Sequence, residues 1–143
     1  MNWKQEAVEH LQKYDAMQKA LKNIPLELQR LEQATQSLGA ARTDRTRVKK
    51  SICSGEDRLI DHMIQKQELE RSFENARLWV CSVDRALDVL TEEEQTILLR
   101  MYARPERGVV ARLCESLGVE QSTIYRKRDT ALYRFTIALY GAA

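Results

Sequence analysis

Residues 110–132, VARLCESLGVEQSTIYRKRDTAL, decide the fold of the last third of this chain. Apolar residues repeat at helical spacing on both sides of Gly118. Glycine readily adopts the left-handed backbone conformation that ends a helix and reverses the chain. Cys114 supplies a small side chain where the two helices would touch. The stretch therefore predicts helices over 110–117 and 122–139, joined by a tight turn at Gly118.

A further helix is predicted just before this pair. Thr91 and Glu94 have the spacing of a capping box, in which each side chain accepts a hydrogen bond from the other residue's backbone N–H. The helix itself is predicted over 95–103, and Pro105 and Gly108 mark the break after it. Helix, helix, tight turn and longer helix is the order of a helix-turn-helix domain. The residues predicted to face its core are Ile97, Leu98, Met101, Leu113, Leu117, Val119, Ile124, Ala131, Leu132 and Phe135.

The outward face of the last helix is polar and basic. In helix-turn-helix proteins the N-terminal end of this helix enters the major groove. Glutamine can pair with adenine and arginine with guanine, each through two hydrogen bonds, and basic side chains also bind phosphates. The predicted DNA-binding residues are Gln121, Ser122, Thr123, Tyr125, Arg126, Lys127 and Arg128. The alternative is that this basic run is only the solvated face of a helical bundle.

The first 90 residues predict two long helices with a basic loop between them. Apolar residues recur every three or four positions over 2–38 and 56–90, and the second stripe has a coiled-coil period. Pro25 interrupts the first helix but the stripe keeps its phase across it, so a kinked helix and two helices that share one face are equally good explanations. Residues 39–55 are predicted to be a partly disordered loop, because they are polar and lack periodicity. The basic residues of this loop are a candidate secondary DNA contact or simply solvated chain: Arg42, Arg45, Arg47, Lys49 and Lys50.

The predicted fold class is therefore all-α. A long antiparallel helical hairpin, coiled-coil-like, would occupy residues 1–90, and a three-helix helix-turn-helix domain would occupy residues 91–143. The composition agrees, because 5 Gly and 2 Pro in 143 residues are too few for a turn-rich all-β fold.

Several functional classes have no support in the sequence. No apolar run approaches the roughly 20 residues that cross a bilayer, and residues 1–13 lack a secretory core, so we expect a cytoplasmic protein. The three cysteines and two histidines have no metal-ligand spacing, so no metal or other cofactor is expected. No catalytic motif is present, and an enzyme is not expected.

Two sets of residues resemble region 4 of bacterial sigma factors. The first set resembles the opening of that region: Leu90, Thr91, Glu94, Ile97, Leu98, Arg100 and Tyr102. The second resembles its helix-turn-helix: Leu113, Leu117, Gly118, Val119, Ser122, Thr123, Ile124, Ala131 and Leu132. The chain has no segment that resembles the promoter-melting regions, which argues against a complete sigma factor.

The chain as a whole is also similar to small prophage proteins of Gram-positive bacteria. This resemblance includes the opening residues 1–4, MNWK, and the ending at 135–141. These proteins are grouped with phage transcriptional regulators of the ArpU and RinA type. The resemblance implies control of phage late genes.

Three hypotheses follow for the function. The first is a regulator that binds double-stranded DNA through residues 121–128, as a homo-oligomer and most simply a dimer. Its helical hairpin would join subunits or contact RNA polymerase. The second is a DNA-packaging subunit like the small terminase subunit of phages. The third is a structural coiled-coil adaptor that does not bind DNA.

Overall fold

A computed structural model describes residues 2–44 and 49–143 of the chain, and every regular element in these ranges is helical. The all-α prediction is therefore confirmed. The elements in chain order are α1 (Trp3–Asp44), α2 (Lys49–Asp88), α3 (Glu92–Leu98) with a π-helical continuation (Leu99–Ala103), α4 (Val109–Leu117) and α5 (Gln121–Tyr140). None of these helices combines the length and the apolar character needed to span a bilayer.

The chain forms two compact units. The first unit contains Met1–Gln18 and Arg77–Ala143, and the second contains Lys19–Ala76. This division does not coincide with the predicted boundary between residues 90 and 91. The reason is that the start of α1 and the end of α2 pack in the first unit, where Trp79 donates from its indole N–H to the His10 carbonyl at 3.1 Å.

The core of α3, α4 and α5 is built on three side chains with no exposed surface, those of Ile97, Leu113 and Ile124. Of the other residues predicted to face this core, Leu98, Ala131, Leu132 and Phe135 are buried, and Met101, Leu117 and Val119 are half-buried. Cys114 packs against the cluster, as expected for a small residue where helices meet.

The tight turn at Gly118 is confirmed. Gly118 caps the C-terminus of α4 with φ 66° and ψ 35°, in the left-handed region. The Val119 N–H donates to the Cys114 carbonyl at 3.2 Å, and the Ile124 N–H donates to the Glu120 carbonyl at 3.1 Å. The first bond closes α4 and the second opens α5, so only three residues separate the two helices.

Replacement of Gly118 with alanine is expected to destabilise the protein by about 1–2 kcal/mol, the cost of a left-handed conformation for a residue with a Cβ. No heavy atom lies within 4 Å of the position that the new Cβ would take, so the cost comes from the backbone alone. Urea unfolding measures it, with Ser116→Ala on the exposed side of α4 as the control, expected within about 0.5 kcal/mol of the parent. Equal stability of the two variants would contradict the account of the turn.

The predicted capping box is also present. The Thr91 hydroxyl accepts from the Glu94 N–H at 3.2 Å, and a Glu94 carboxylate oxygen accepts from the Thr91 N–H at 3.2 Å. The helix therefore begins at Glu92 rather than at residue 95. Its last five residues form the π-helical continuation, which the Arg104 N–H closes on the Leu99 carbonyl at 2.9 Å.

For α1 and α2 the structure decides between the two alternatives at Pro25 and corrects the predicted loop. Pro25 does not break the helix, because α1 continues through it; buried Ile24 and half-buried Leu28 hold the chain on either side. The predicted loop at 39–55 is wrong for residues 39–44 and 49–55, which lie in α1 and α2, and its residues 45–48 lie outside the described ranges. These residues are polar and have no apolar stripe. The sequence therefore lacked the periodicity from which a helix is predicted.

Candidate nucleic-acid interface

The packing of α5 sorts the seven predicted DNA-binding residues by exposure. Its buried residues, Ile124, Ala131, Leu132, Phe135 and Thr136, face the core of the first unit. Of the seven, Gln121, Ser122 and Arg126 are exposed, and Thr123, Tyr125, Lys127 and Arg128 are half-buried. None of them is buried, so the whole set borders solvent at the N-terminal half of α5.

Arg126 is the most available of the basic residues in this half of the helix. Its guanidinium makes no hydrogen bond or ion pair within the described ranges. Exposed Ser122 lies one turn before it, on the same side of α5. A guanidinium without a partner keeps all its N–H donors for a ligand, and its planar fork suits guanine and phosphate.

Lys127, in contrast, is held by a carboxylate of α3. Its ammonium forms an ion pair with Glu93, and both side chains are about two-fifths exposed. Lys127 and Glu93 border a groove between α3 and α5 of about 340 Å³, which Arg126 also lines. The charge of Lys127 on the side of α5 toward α3 is therefore largely balanced by Glu93.

Arg128 is held within α5. Its guanidinium donates to the Asp129 carboxylate at 2.8 and 3.1 Å and lies over the Tyr125 ring, 5.0 Å from the ring centre. The Tyr125 hydroxyl in turn accepts from the Gln121 amide at 3.3 Å. These contacts reduce the conformational freedom of four polar side chains along one stretch of the helix, and less entropy remains to be lost on binding.

Arg134 is an important residue that the sequence analysis missed. It forms an ion pair with Glu94 of the capping box and donates to the Val89 carbonyl at 3.1 Å. The other Glu94 carboxylate oxygen is buried and has no hydrogen-bond partner. Arg134 therefore ties the middle of α5 to the start of α3 and the end of α2. The spacing of the capping box identifies Glu94 in the sequence. No local pattern identifies Arg134, because its partner Glu94 lies 40 residues away.

A small aromatic cluster fixes the far end of α5. The His10 ring stacks on Trp79 at 4.1 Å, and the Tyr140 hydroxyl lies 3.0 Å from His10 Nδ1. Trp3 packs against Tyr140 at 4.9 Å. Burial and the nearby carboxylates of Glu6 and Glu9 raise the pKa of Tyr140. His10, Trp3 and Trp79 therefore act as packing residues. Their contacts with Tyr140 anchor the C-terminal end of α5, the helix that carries Arg126.

The residues of the candidate secondary contact belong to the second unit. Arg42 lies in α1, and Lys49 and Lys50 lie in α2. Arg45 and Arg47 lie outside the described residues. A role for these five residues in DNA binding stays a prediction. Over the ranges that the structure covers, no three His, Cys, Asp or Glu residues are grouped so that they could hold a metal ion.

Comparison of the chain with protein-family models, with curated proteins and with solved structures gave no match. The similarity to sigma region 4 and to phage regulators therefore stays a prediction from the residues that carry it.

Proposed function

We propose that this chain is a sequence-specific DNA-binding regulator of the phage type. In this proposal α3, α4 and α5 form a helix-turn-helix domain, and the N-terminal half of α5 enters the major groove. The observation that carries it is the exposed, polar and basic end of α5, which follows the left-handed turn at Gly118 directly. A helix of 20 residues is about 30 Å long, enough to project beyond the turn and cross the groove.

The contacts of each side chain suggest its role. Arg126, with no internal partner, would read guanine through two hydrogen bonds. Exposed Ser122 and Gln121 would bond a phosphate or a base edge. Arg128, fixed by Asp129 and Tyr125, would serve as a positioned phosphate contact, which gives affinity that depends on salt and not on sequence.

The ion pairs on the side toward α3 would limit non-specific binding. Lys127 and Arg134 are paired with Glu93 and Glu94, so their charges are largely balanced by neighbouring carboxylates. Arg126 and the exposed groups around it would then supply most of the attraction to DNA. A DNA-binding protein with few unpaired cations gains more of its affinity from base contacts than a protein whose DNA-binding face is uniformly basic.

Replacement of Glu93 with glutamine is expected to tighten binding to non-specific duplex DNA by roughly 2- to 5-fold, about the effect of one surface charge. The change frees Lys127 for a phosphate and removes a negative charge beside α5. The plot of log affinity against log salt should steepen by about 1, the contribution of one more phosphate contact. Fluorescence anisotropy at several salt concentrations measures both quantities. Glu68→Gln, an exposed change on α2, is the matched control, and an equal effect of both variants would exclude a specific role for the Glu93 pair.

The proposal as a whole is tested by selection from random-sequence duplexes. We expect the parent protein to enrich one motif and to bind it at least about 10³-fold more tightly than non-specific DNA. The mass of the complex should correspond to one or two copies of the chain, whereas a ring of many copies would indicate a packaging subunit. Absence of any enriched motif, with no affinity near physiological salt, would leave only the structural adaptor.

A further inference from the structure

The groove between α3 and α5 contains more cations than carboxylates. Its lining includes Glu93 and Glu94 from α3, and Arg126, Lys127 and Arg134 from α5. Glu93 is paired with Lys127 and Glu94 with Arg134, so both carboxylates are occupied. Arg126 lines the same groove but has no hydrogen bond or ion pair within the described ranges. The freedom of Arg126 therefore depends on what the neighbouring cations bind.

We propose that Lys127 is a positioning residue for DNA recognition, because it occupies the Glu93 carboxylate and so keeps Arg126 free to read a base. The inference rests on the proposed function, since it explains how the reading side chain of that function stays available. Without the Lys127 ammonium, Glu93 would bind Arg126 instead and withdraw it from the DNA. Lys127 would thus contribute to sequence specificity without contacting a base itself.

The positions of the two cations on α5 make this exchange of partners possible. Arg126 and Lys127 are consecutive residues, and both border the groove that Glu93 borders from α3. Thr123 and Thr130, one turn before and one turn after Arg126, also line the groove, which places Arg126 at the border of the side of α5 that faces α3. A change of rotamer would bring its guanidinium to the carboxylate without movement of the backbone.

Glu93, rather than Glu94, is the carboxylate that would capture Arg126. The Glu94 side chain is only 12% exposed, and its carboxylate accepts from both the Thr91 N–H and the Arg134 guanidinium. The Glu93 side chain is 40% exposed, and within the described ranges its carboxylate is paired with Lys127 alone. An exposed ion pair is weak, so its partners exchange easily. Loss of Lys127 would therefore leave an accessible, unpaired carboxylate beside Arg126.

The test measures discrimination at the guanine that Arg126 reads, located as the position where Arg126→Ala loses discrimination. Discrimination is the ratio of Kd for the selected duplex changed at this guanine to Kd for the selected duplex itself. In Lys127→Gln the ratio should fall by about 2- to 5-fold, the effect expected when an exposed ion pair must break before binding. In the double variant Lys127→Gln/Glu93→Gln the ratio should return to the parent value, because no carboxylate at position 93 remains to hold Arg126.

Two single variants of the full chain are the controls. Glu93→Gln breaks the same ion pair as Lys127→Gln but leaves no carboxylate for Arg126, so it should keep the parent ratio. If the pair only tied α3 to α5, the two single variants would lose discrimination alike, and the inference would be overturned. Arg128→Gln removes a basic residue that is paired with Asp129; it should weaken binding to both duplexes equally and leave the ratio unchanged.

Nuclear magnetic resonance on the free protein tests the pairing without DNA. Exchange of the Arg126 Nε–H with solvent should slow by a similar factor in Lys127→Gln and return to the parent rate in the double variant. An unchanged ratio or exchange rate in Lys127→Gln, or a loss that Glu93→Gln does not restore, would overturn the inference while leaving the proposed function intact. Absence of specific DNA binding by the parent would instead overturn the proposed function, and the exchange rates would still decide whether Lys127 keeps Arg126 free.

Discussion

Replacement of Arg126 with alanine is expected to weaken binding to the selected DNA site by about 1–3 kcal/mol, which corresponds to roughly 5- to 150-fold in Kd. The reason is the unusual freedom of this side chain. Its guanidinium has no internal partner within the described ranges, whereas the next two residues, Lys127 and Arg128, are paired with Glu93 and Asp129. Removal of the Arg126 side chain therefore breaks no hydrogen bond or ion pair within the described ranges, and the main effect should appear in DNA binding.

The measurement compares the selected site with duplexes in which each base pair is changed in turn. Arg126→Ala should lose discrimination at one guanine position and keep it at the others. Arg58→Ala, which removes an exposed arginine from α2, is the control for the loss of one positive charge and should change Kd by less than about twofold. If Arg126→Ala and Arg58→Ala bind alike, Arg126 does not read a base. If Arg126→Ala weakens all sequences equally, its contact is with a phosphate.

The parts of the fold that could be predicted from the sequence depend on local chemistry. The turn at Gly118 was predictable because few residues other than glycine occupy the left-handed region. The capping box that precedes α3 was predictable because it joins residues only three positions apart, Thr91 and Glu94. The buried side of α5 followed from apolar spacing, and Ile124 and Phe135 are fully buried as expected.

The errors came from segments in which local signals were weak or misleading. Residues 39–44 and 49–55 lack an apolar stripe, so the sequence indicated a loop where α1 and α2 continue. Pro25 costs one backbone hydrogen bond, but the long helix on each side of it retains its own bonds and packing. Helix propensity predicts the free-energy cost of a proline within a helix, but it does not show whether the neighbouring residues offset that cost.

The candidate site was predictable only in part, because its decisive contacts are long-range. The sequence identified the seven polar residues of α5 but not which of them are free. The partner of Lys127 lies 34 residues away, and the partner of Arg134 lies 40 residues away. Periodicity cannot place α3 beside α5, so it cannot distinguish an engaged cation from an available one. The structure was therefore needed to identify Arg126 as more available for binding than its neighbours.

The second large effect is expected in the core beneath the reading segment. Replacement of Ile124 with alanine should lower the free energy of unfolding by about 2–5 kcal/mol, the usual cost of truncating a fully buried isoleucine. Ile124 is completely buried against Ile97 and Leu113, and it lies one residue before Tyr125 and two before Arg126. A cavity at this point would loosen the contact of α5 with α3 and α4, so specific DNA affinity should fall together with stability.

Ile137 offers a matched control for this change, since it is the same residue type on the same helix but is 39% exposed. Ile137→Ala leaves no cavity in the core and should cost less than about 1 kcal/mol when unfolding by urea is measured without DNA. The m-value should stay the same in both variants if each changes only the native packing. If Ile124→Ala lowers the free energy of unfolding no more than Ile137→Ala does, α5 is not anchored through Ile124. The core would then not account for a rigid placement of residues 121–128.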